Sequence, residues 1–345
     1  MRLTLTLLLV LAAGATHAAD APPPLTPEEI TAGWVQLFDG ATTFGWLTNG
    51  PVRVEGGELV LGGRQQATAR TTTAFGPCDY VFDYAMDSKP GVEYVLYTFG
   101  TETRRSSGKA TGPDTGRTSP GSDAASGART PFAITVPAGV TLKVRRLKVR
   151  PVGLQPIFNG KDLFPWKQYT GDEKRAKSKF SVTPEGWLNV TNGPGDLQTE
   201  KLWQDFVFQG ECISNGKHLN SGIFFRCLPG QYQNGYEMQI RNQWEGDDRS
   251  KPVDFGTGAI YRRQPARKVV STDGEWFAMT LVAHGNHFAT WVNGYQVTDW
   301  TDTRPENENA RNGCKLGPGP LSIQGHDPTT NLSFRNLRVA ELPKK

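Results

Sequence analysis

An internal repeat with a long period is the feature that most constrains this chain. Residues 37–46 (LFDGATTFGW) align without a gap with residues 157–166 (IFNGKDLFPW). Three further pairs follow in the same order: 54–60 with 182–190, 79–83 with 205–209, and 144–149 with 334–339. A repeat of this period predicts duplicated domains rather than a solenoid of short units. The 345 residues are enough for two such domains.

The two predicted copies differ in length and in polarity. We place the first copy at residues 34–151 and the second at residues 154–342. The first copy contains a Ser-, Gly- and Thr-rich stretch at 101–130, which predicts a polar loop. The second copy is longer in its middle part, where polar residues alternate along predicted strands. We therefore expect any chemistry to lie in the second copy.

Short runs of β-branched and aromatic residues, separated by turn residues, predict an antiparallel sandwich or jelly roll. The predicted strands are 58–61, 79–85, 93–99, 141–149, 187–190, 205–213, 222–228, 235–241, 276–283, 287–292, 320–324 and 332–340. Asn293-Gly294 between two of these runs is a strong signal for a two-residue hairpin. The one good helix start is Thr26, with Pro27 at the first position and Glu29 completing a capping box.

The net charge of +4 does not indicate a nucleic-acid partner. Between residues 101 and 150 there are ten Lys and Arg against three Asp and Glu, so the surplus is local. Part of it lies in one predicted strand, 142–150, which is typical of a solvated edge strand that resists pairing. A nucleic-acid protein spreads a basic face over its fold instead. No run of 18 apolar residues occurs, so we expect no membrane-spanning helix.

Residues 1–18 (MRLTLTLLLVLAAGATHA) have the composition of a secretory signal peptide. We therefore expect the protein to be exported to the periplasm or the extracellular space. Export permits disulfides, but the spacing of the cysteines matches no zinc motif and assigns no bridge. The four are Cys78, Cys212, Cys227 and Cys314.

Two neighbouring predicted strands have one apolar and one polar face. Residues two apart on a strand share a face, so Glu237, Gln239 and Arg241 lie opposite Tyr236, Met238 and Ile240. In the same way Ile223 and Phe225 alternate with Phe224 and Arg226. A row of acid, amide and guanidinium groups suits a sugar, because planar polar groups bind hydroxyls in pairs. The alternative is an ordinary solvated sheet face.

A series of motifs carries a specific resemblance across about 185 residues. In order, they are FNGKDL at 158–163, LQTE at 197–200, NSGIFFR at 220–226, GYEMQI at 235–240, TGAIY at 257–261, GEW at 274–276, WVNG at 291–294, LSIQGH at 321–326 and SFRNL at 333–337. With these motifs the second copy resembles the 3-keto-disaccharide hydrolase family (3-keto-glucoside 1,2-lyase / 3-keto-2-hydroxy-glucal hydratase domains). One departure is Thr290, where many members have His.

The resemblance implies an all-β fold of two tandem concanavalin-A/laminarinase-like jelly-roll sandwiches, the first shorter and degenerate. It also implies a secreted carbohydrate-active enzyme that cleaves 3-keto-glycosides, by elimination across C1 and C2 with hydration or by net hydrolysis. Such a reaction needs a base, an enolate stabiliser and an acid for the leaving oxygen. We expect Glu237 and His326 to be base and acid, in either order, with Arg226 and Gln239 on the ketone oxygen.

Further site residues are expected around this core. Arg241, Gln324 and Trp244 are predicted substrate contacts; Trp244 follows the polar strand and could stack on a sugar ring. A divalent cation could replace Arg226 as the enolate stabiliser, with Glu237, His326 and Asp327 as ligands, although no ligand spacing establishes a metal. The structural alternatives are that His326 is a loop histidine packed by Asp327 and that Trp244 belongs to the core.

A conventional glycosidase and a carbohydrate-binding module are the two alternative functions. A conventional glycosidase needs two carboxyl groups about 5–10 Å apart, and Glu237 is followed by Gln239 and Arg241 rather than by a second carboxyl. A secreted carbohydrate-binding or adhesion module remains the alternative to an enzyme, because jelly rolls serve both purposes. Convergence of Arg226, Glu237, Gln239 and His326 on one cleft discriminates between the enzyme and the module.

Overall fold

The computed structural model describes residues 25–88, 93–117 and 129–342. The predicted signal peptide and residues 118–128 of the predicted polar loop lie outside the described residues. The described parts contain one short helix, α1 (Pro27–Thr31), and no helix in them is both long and apolar enough to cross a membrane. As predicted, α1 starts with a capping box: Glu29 N donates to Thr26 Oγ1, and Thr26 N donates to Glu29 Oε2, both at 3.2 Å.

The first half of the chain contributes twelve strands. They are β1 (Val35–Gln36), β2 (Trp46–Asn49), β3 (Val52–Glu55), β4 (Glu58–Gly62), β5 (Ala67–Thr71), β6 (Cys78–Asp87), β7 (Tyr94–Phe99), β8 (Glu102–Ser106), β9 (Ala110–Thr111), β10 (Asp114–Arg117), β11 (Ala133–Val136) and β12 (Thr141–Pro151). They form a seven-stranded sheet, β10-β6-β12-β4-β3 with β1 on β12 and β9 on β6, and a five-stranded sheet, β2-β5-β11-β7-β8.

The second half contributes fifteen strands and two short 3-10 turns, Glu173–Arg175 and Val253–Phe255. The strands are β13 (Gln155–Pro156), β14 (Lys167–Gln168), β15 (Lys179–Val182), β16 (Leu188–Thr191), β17 (Gly195–Gln198), β18 (Phe206–Ser214), β19 (Ser221–Phe225), β20 (Tyr236–Ile240), β21 (Trp244–Glu245), β22 (Asp248–Pro252), β23 (Phe277–His284), β24 (His287–Val292), β25 (Tyr295–Thr301), β26 (Ser322–Gly325) and β27 (Asn331–Glu341). An eight-stranded sheet, β15-β16-β27-β18-β23-β24-β25 with β13 on β27, faces a five-stranded sheet, β14-β17-β26-β19-β20.

The fold-class prediction is confirmed: the chain is all-β and forms two antiparallel sandwiches in tandem. All twelve predicted strands are present within a few residues of their predicted bounds. The prediction of a loop at 101–130 was wrong for its first part, because β8, β9 and β10 lie there. The reason is the ten-residue strand β6: one edge of it would be unpaired without β9 and β10, and unpaired backbone groups are costly.

The second sandwich closes its core with the predicted apolar faces. Tyr236, Met238 and Ile240 of β20 are buried with Ile223 and Phe225 of β19. Side chains of the eight-stranded sheet pack against them from the other side. The alternation predicted for β19 and β20 is therefore confirmed, and it turns the intervening side chains to the outer face of the five-stranded sheet.

The first sandwich covers the outer face of the eight-stranded sheet. Val207, Val282, Ala289 and Trp291 point away from the core of the second sandwich and belong to the buried cluster of the first. Trp291 is 1% exposed, and its Nε1 donates to Gln36 O at 2.8 Å. The outer face of the five-stranded sheet is on the other side of the second sandwich and does not belong to this interface.

The two halves contain the same tryptophan hydrogen bond. In the first half, Trp46 Nε1 donates to Leu37 O at 2.6 Å. In the second, Trp166 Nε1 donates to Ile157 O at 2.6 Å. Trp46 and Trp166 occupy aligned positions of the predicted repeat, and each makes the same bond to the carbonyl nine residues before it.

Replacement of Trp291 by Ala should lower the free energy of unfolding by about 3–5 kcal/mol, because a buried indole leaves a cavity when it is removed. Urea denaturation measures the change. Trp244→Ala is the control, since Trp244 is only partly buried, and it should cost clearly less. Equal costs for the two variants would contradict the packing role of Trp291.

Candidate functional site

The outer face of the five-stranded sheet is lined by polar side chains from four strands. The strand register pairs Asp196 with Gln324 and Gly222 with Gln239. One step along the strands, Ser322 is opposite both Gln198 and Phe224, and Phe224 is opposite Glu237. The predicted row of Glu237 and Gln239 is thus extended across the sheet by amides and a carboxyl of β17 and β26.

A pocket of about 200 Å³ opens on this face. It is lined by Asn220, Tyr232, Gln233, Glu237, Gln239, Tyr261, Arg262, Arg311, Gln324 and His326. The floor is buried: Glu237, Gln239 and Gln324 are 6%, 1% and 3% exposed. Arg262, Arg311 and His326 are exposed and form the rim. The structure therefore brings Glu237, Gln239 and His326 together, with the predicted Gln324 beside Gln239 on the floor. Arg226, the fourth residue whose convergence was to discriminate an enzyme from a binding module, does not line the pocket.

Glu237 is the buried acid of the pocket floor. Burial raises its pKa to about 8, the carboxyls of Asp254 and Asp196 act in the same direction, and Arg311 and Arg262 oppose them. Glu237 therefore keeps its proton at neutral pH. The side chain lies over Gly222, where an added Cβ would be 2.5 Å from Glu237 Oε1. Only glycine at position 222 leaves room for it.

Three buried amide oxygens at the floor have no hydrogen-bond donor among the described residues: Asn220 Oδ1, Gln239 Oε1 and Gln324 Oε1. Asp254 fixes two of these amides, because its Oδ2 accepts from Asn220 Nδ2 at 2.8 Å and from Gln239 Nε2 at 3.2 Å. A buried acceptor without a donor costs free energy. Hydroxyl groups of a ligand would supply the missing donors.

The pocket walls contain strained backbone. Gln233 (φ 46°), Asp254 (φ 49°) and Arg262 (φ 58°) all have left-handed conformations that favour glycine. Gln233 is held by Asp196, whose Oδ2 accepts from Gln233 N at 2.8 Å. Burial raises the pKa of Asp196 to about 6. Strain of this kind concentrates at functional sites.

His326 follows β26 at the rim of the pocket. Its Nδ1 is 2.8 Å from Asp327 Oδ2, and Asp327 Oδ1 accepts from Thr329 N at 2.8 Å. A carboxylate bonded to Nδ1 orients the imidazole and leaves Nε2 for a ligand. The predicted metal ligands Glu237, His326 and Asp327 do not form a metal site, since the oxygens of Asp327 are engaged and no described residues form a group of three suitable ligands.

The placement of Arg226 at the substrate was wrong. Its side chain is 0% exposed and is saturated by Gln204 O, Gly285 O, Lys315 O and Asp205 Oδ1 at 2.6–3.0 Å. The physical reason is that β19 ends at Phe225 and Arg226 has φ 49°, so strand alternation no longer applies to it. Arg226 instead forms hydrogen bonds to three different loops at the end of the sandwich.

Arg241 and Trp244 also lie outside the pocket lining. Arg241 comes just after the end of β20, and its guanidinium bonds to His218 O and to Gln243 Oε1. Trp244 begins the small hairpin β21-β22, where the guanidinium carbon of Arg249 is 4.1 Å from its ring centroid. The structure therefore does not bring these two predicted substrate contacts to the pocket, because the polar row stops with β20.

Sequence reasoning missed the rim. Tyr261 is the last residue of the TGAIY stretch, Arg262 lies in the turn that follows it, and Arg311 lies in a loop without any motif. Strand periodicity cannot place such residues, since loops that are far apart in sequence meet at the pocket. The left-handed turn at Arg262 has no signature in residue type, because arginine is unusual at positive φ.

A second hollow, of about 310 Å³, lies near the opposite edge strand β14. It is lined mainly by apolar side chains, among them Phe158, Phe164, Trp166 and Trp203. It has no counterpart of the buried acid Glu237, so we assign the site to the smaller pocket.

Comparison with known families identifies the domain in which the pocket lies. The profile of the 3-keto-alpha-glucoside-1,2-lyase-like domain matches residues 153–340, more than half of the chain. The chain belongs to this family. The match covers the second sandwich and every residue of the pocket, so the site lies in a carbohydrate-acting domain. Thr290, the departure noted above, is buried and donates to Gly258 O at 2.5 Å.

Several solved structures are similar to part of this chain at low sequence identity and with TM-scores below 0.5. A putative glycosyl hydrolase from Parabacteroides distasonis is 20% identical, with a TM-score of 0.44, covering 55% of this chain and 94% of that one. The carbohydrate-binding module CBM66 from Bacillus subtilis is 13% identical (TM-score 0.37; 52% and 97% covered). A β-1,3-1,4-glucanase from a mouse hindgut metagenome is 15% identical (TM-score 0.35; 52% and 93% covered). No curated protein matched the sequence.

The raised pKa of Glu237 predicts a pH-dependent stability. Between about pH 4.5 and 8 the folded protein holds a proton on Glu237 that the unfolded chain has lost. The free energy of unfolding should therefore fall as the pH rises, by at most about 1.4 kcal/mol per pH unit from this group. Asp196 acts in the same direction at lower pH.

Urea unfolding at pH 5 and pH 8 measures this dependence. Glu237→Gln keeps the shape of the protonated side chain without its titration, so the variant should lose less stability than the wild type over this range. Parallel losses in the two proteins would show that Glu237 does not titrate as the structure predicts.

Proposed function

We propose that this protein is an exported enzyme that cleaves 3-keto-glycosides in the pocket on the five-stranded sheet. The observation that carries the proposal is the protonated, buried Glu237, which lines the same pocket as His326 and three unpaired amide oxygens. Family membership supports a carbohydrate substrate, and the composition of residues 1–18 supports export.

The reaction begins with removal of the C2 proton, which the neighbouring C3 ketone acidifies. His326 is suited to accept this proton at Nε2, since Asp327 holds Nδ1. The electron pair passes into the C1–C2 bond, the C1–O bond breaks, and Glu237 gives its proton to the leaving oxygen. Water then adds a hydroxyl to C1 and a proton to C2, so the net products are 3-keto-glucose and the free alcohol.

The structure changes the expected roles around the ketone. Gln239 Nε2 already donates to Asp254, so its free Oε1 would accept a sugar hydroxyl rather than hold the ketone oxygen. Arg226 is replaced by Arg311 as the group that stabilises the enolate, because Arg311 lines the pocket and interacts with Glu237. A guanidinium stabilises the negative charge that develops on an enolate oxygen.

Glu237→Gln should lower kcat for 3-keto-glucosides by at least about 100-fold, because general acid catalysis contributes about 10²–10⁴-fold. Release of 3-keto-glucose, with and without a chelator, is the measurement, and unmodified disaccharides are the control substrates. A wild-type protein that binds glycans but releases no 3-keto-glucose would contradict the enzyme and favour a carbohydrate-binding module.

Gly222→Ala should also reduce turnover, since the new methyl group displaces Glu237 without removing its carboxyl. Gly317→Ala is a matched control: a Cβ at Gly317 meets no atom within 4 Å, and its φ is not left-handed. We expect the apparent pKa in the pH profile of kcat to rise, or the profile to broaden, in Gly222→Ala only. Identical pH profiles in the two variants would show that the position of Glu237 does not matter.

A further inference from the structure

Three arginines converge on the mouth of the pocket. Arg262 and Arg311 line the pocket itself. Arg263 joins them in an adjoining hollow of about 130 Å³, which Glu237 and Tyr261 also line. We call Arg262, Arg263 and Arg311 the arginine rim.

The arginine rim has no carboxylate partner in the parts of the chain that the structure describes. Elsewhere in the second sandwich, Arg226, Arg267, Arg304 and Arg335 each pair with a carboxylate at 2.6–3.0 Å. No such ion pair is formed by Arg262, Arg263 or Arg311. Burial and the nearby charge of Arg304 lower the pKa of Arg263, so like charges are crowded here.

The rim is held in place by the backbone. Arg311 Nε donates to Gln233 O at 2.6 Å, and Arg263 Nη2 donates to Arg311 O at 2.8 Å. The amides of Arg263 and Gln264 both donate to Ile260 O at 2.9 Å, which closes the turn that presents Arg262. A charged side chain at the left-handed position of a tight turn is costly to keep without a use.

The acids near the pocket form no ion pair with the arginine rim among the described residues. Glu237 is protonated at neutral pH, because its burial raises the pKa to about 8. Asp254 is bonded to the amides of Asn220 and Gln239, and Asp196 accepts from the backbone of Gln233. Guanidinium groups bind carboxylates and phosphates through paired hydrogen bonds.

We propose that the substrate carries an anionic group, a carboxylate or a phosphate, on its leaving-group side, and that Arg262 and Arg263 bind it. The inference rests on the proposed function: with the keto-sugar on the buried floor, the leaving group lies at the mouth. Arg311 faces the same space but serves the enolate oxygen.

The test compares matched leaving groups. 3-Keto-glucosides of 4-hydroxybenzoate, of its neutral amide and of 4-hydroxyphenyl phosphate, each in both anomers, differ mainly in charge at one position. We expect kcat/KM to be about tenfold higher for at least one anion than for the amide, and to fall with added salt. The larger of the two anionic effects identifies carboxylate or phosphate.

Arg262→Asn removes the charge and keeps the turn, because asparagine tolerates the left-handed conformation. The ratio of anionic to neutral kcat/KM should fall severalfold in this variant and remain unchanged in Arg145→Gln, a distant exposed control. Equal rates for anionic and neutral substrates, or an unchanged ratio in Arg262→Asn, would overturn the inference while the proposed function stands.

Calorimetry separates this inference from the proposed reaction. The unoxidised 4-carboxyphenyl glucoside has no ketone and cannot undergo elimination, so its binding needs no catalysis. It should bind the wild type more tightly than its amide does, and the difference should shrink in Arg262→Asn. If no keto-glycoside is cleaved yet this preference holds, the reaction is wrong and the anion site remains; no preference would overturn the anion site.

Discussion

Burial of the apolar core of the second sandwich determines which side chains line the candidate site, because side chains alternate across each strand of the five-stranded sheet. Once Ile223, Phe225, Met238 and Ile240 are buried between the sheets, the register allows one set of side chains on the outer face. A shift of one residue would bury Glu237 in the core and expose its apolar neighbours. The protein would then lose the free energy that burial of several apolar side chains contributes to folding. The geometry of the candidate site is thus a consequence of packing on the opposite face.

The first sandwich determines which face remains available. It covers the outer face of the eight-stranded sheet through Val207, Val282, Ala289 and Trp291. The outer face of the five-stranded sheet is left to the pocket. We infer that the shorter copy acts as a structural partner of the longer one, and its surplus of basic residues then has no need of a ligand: Lys148 pairs with Glu29, and Lys143 and Arg145 lie near Glu58.

How far the sequence predicted the site depended on strand geometry. Glu237, Gln239 and Gln324 were found because they lie within regular strands, where residue spacing determines the face. Arg226 and Arg241 were misplaced because each comes just after a strand end, where the alternation stops. Arg262 and Arg311 were missed because loops distant in sequence bring them together. The polar stretch after residue 101 formed strands, since pairing of β8 with β7 and of β9 and β10 with β6 outweighs its weak strand propensity.

The central claim is that the sugar binds over Glu237, in a small polar pocket, rather than in the larger apolar hollow near Phe164. A crystal structure of the Glu237→Gln variant soaked with a 3-keto-glucoside tests it most directly. The account predicts a sugar ring on the floor, with hydroxyls donating to Gln239 Oε1 and Gln324 Oε1 and with C2 facing His326. A sugar bound between Phe164 and Trp203, with the pocket at Glu237 empty, would contradict it.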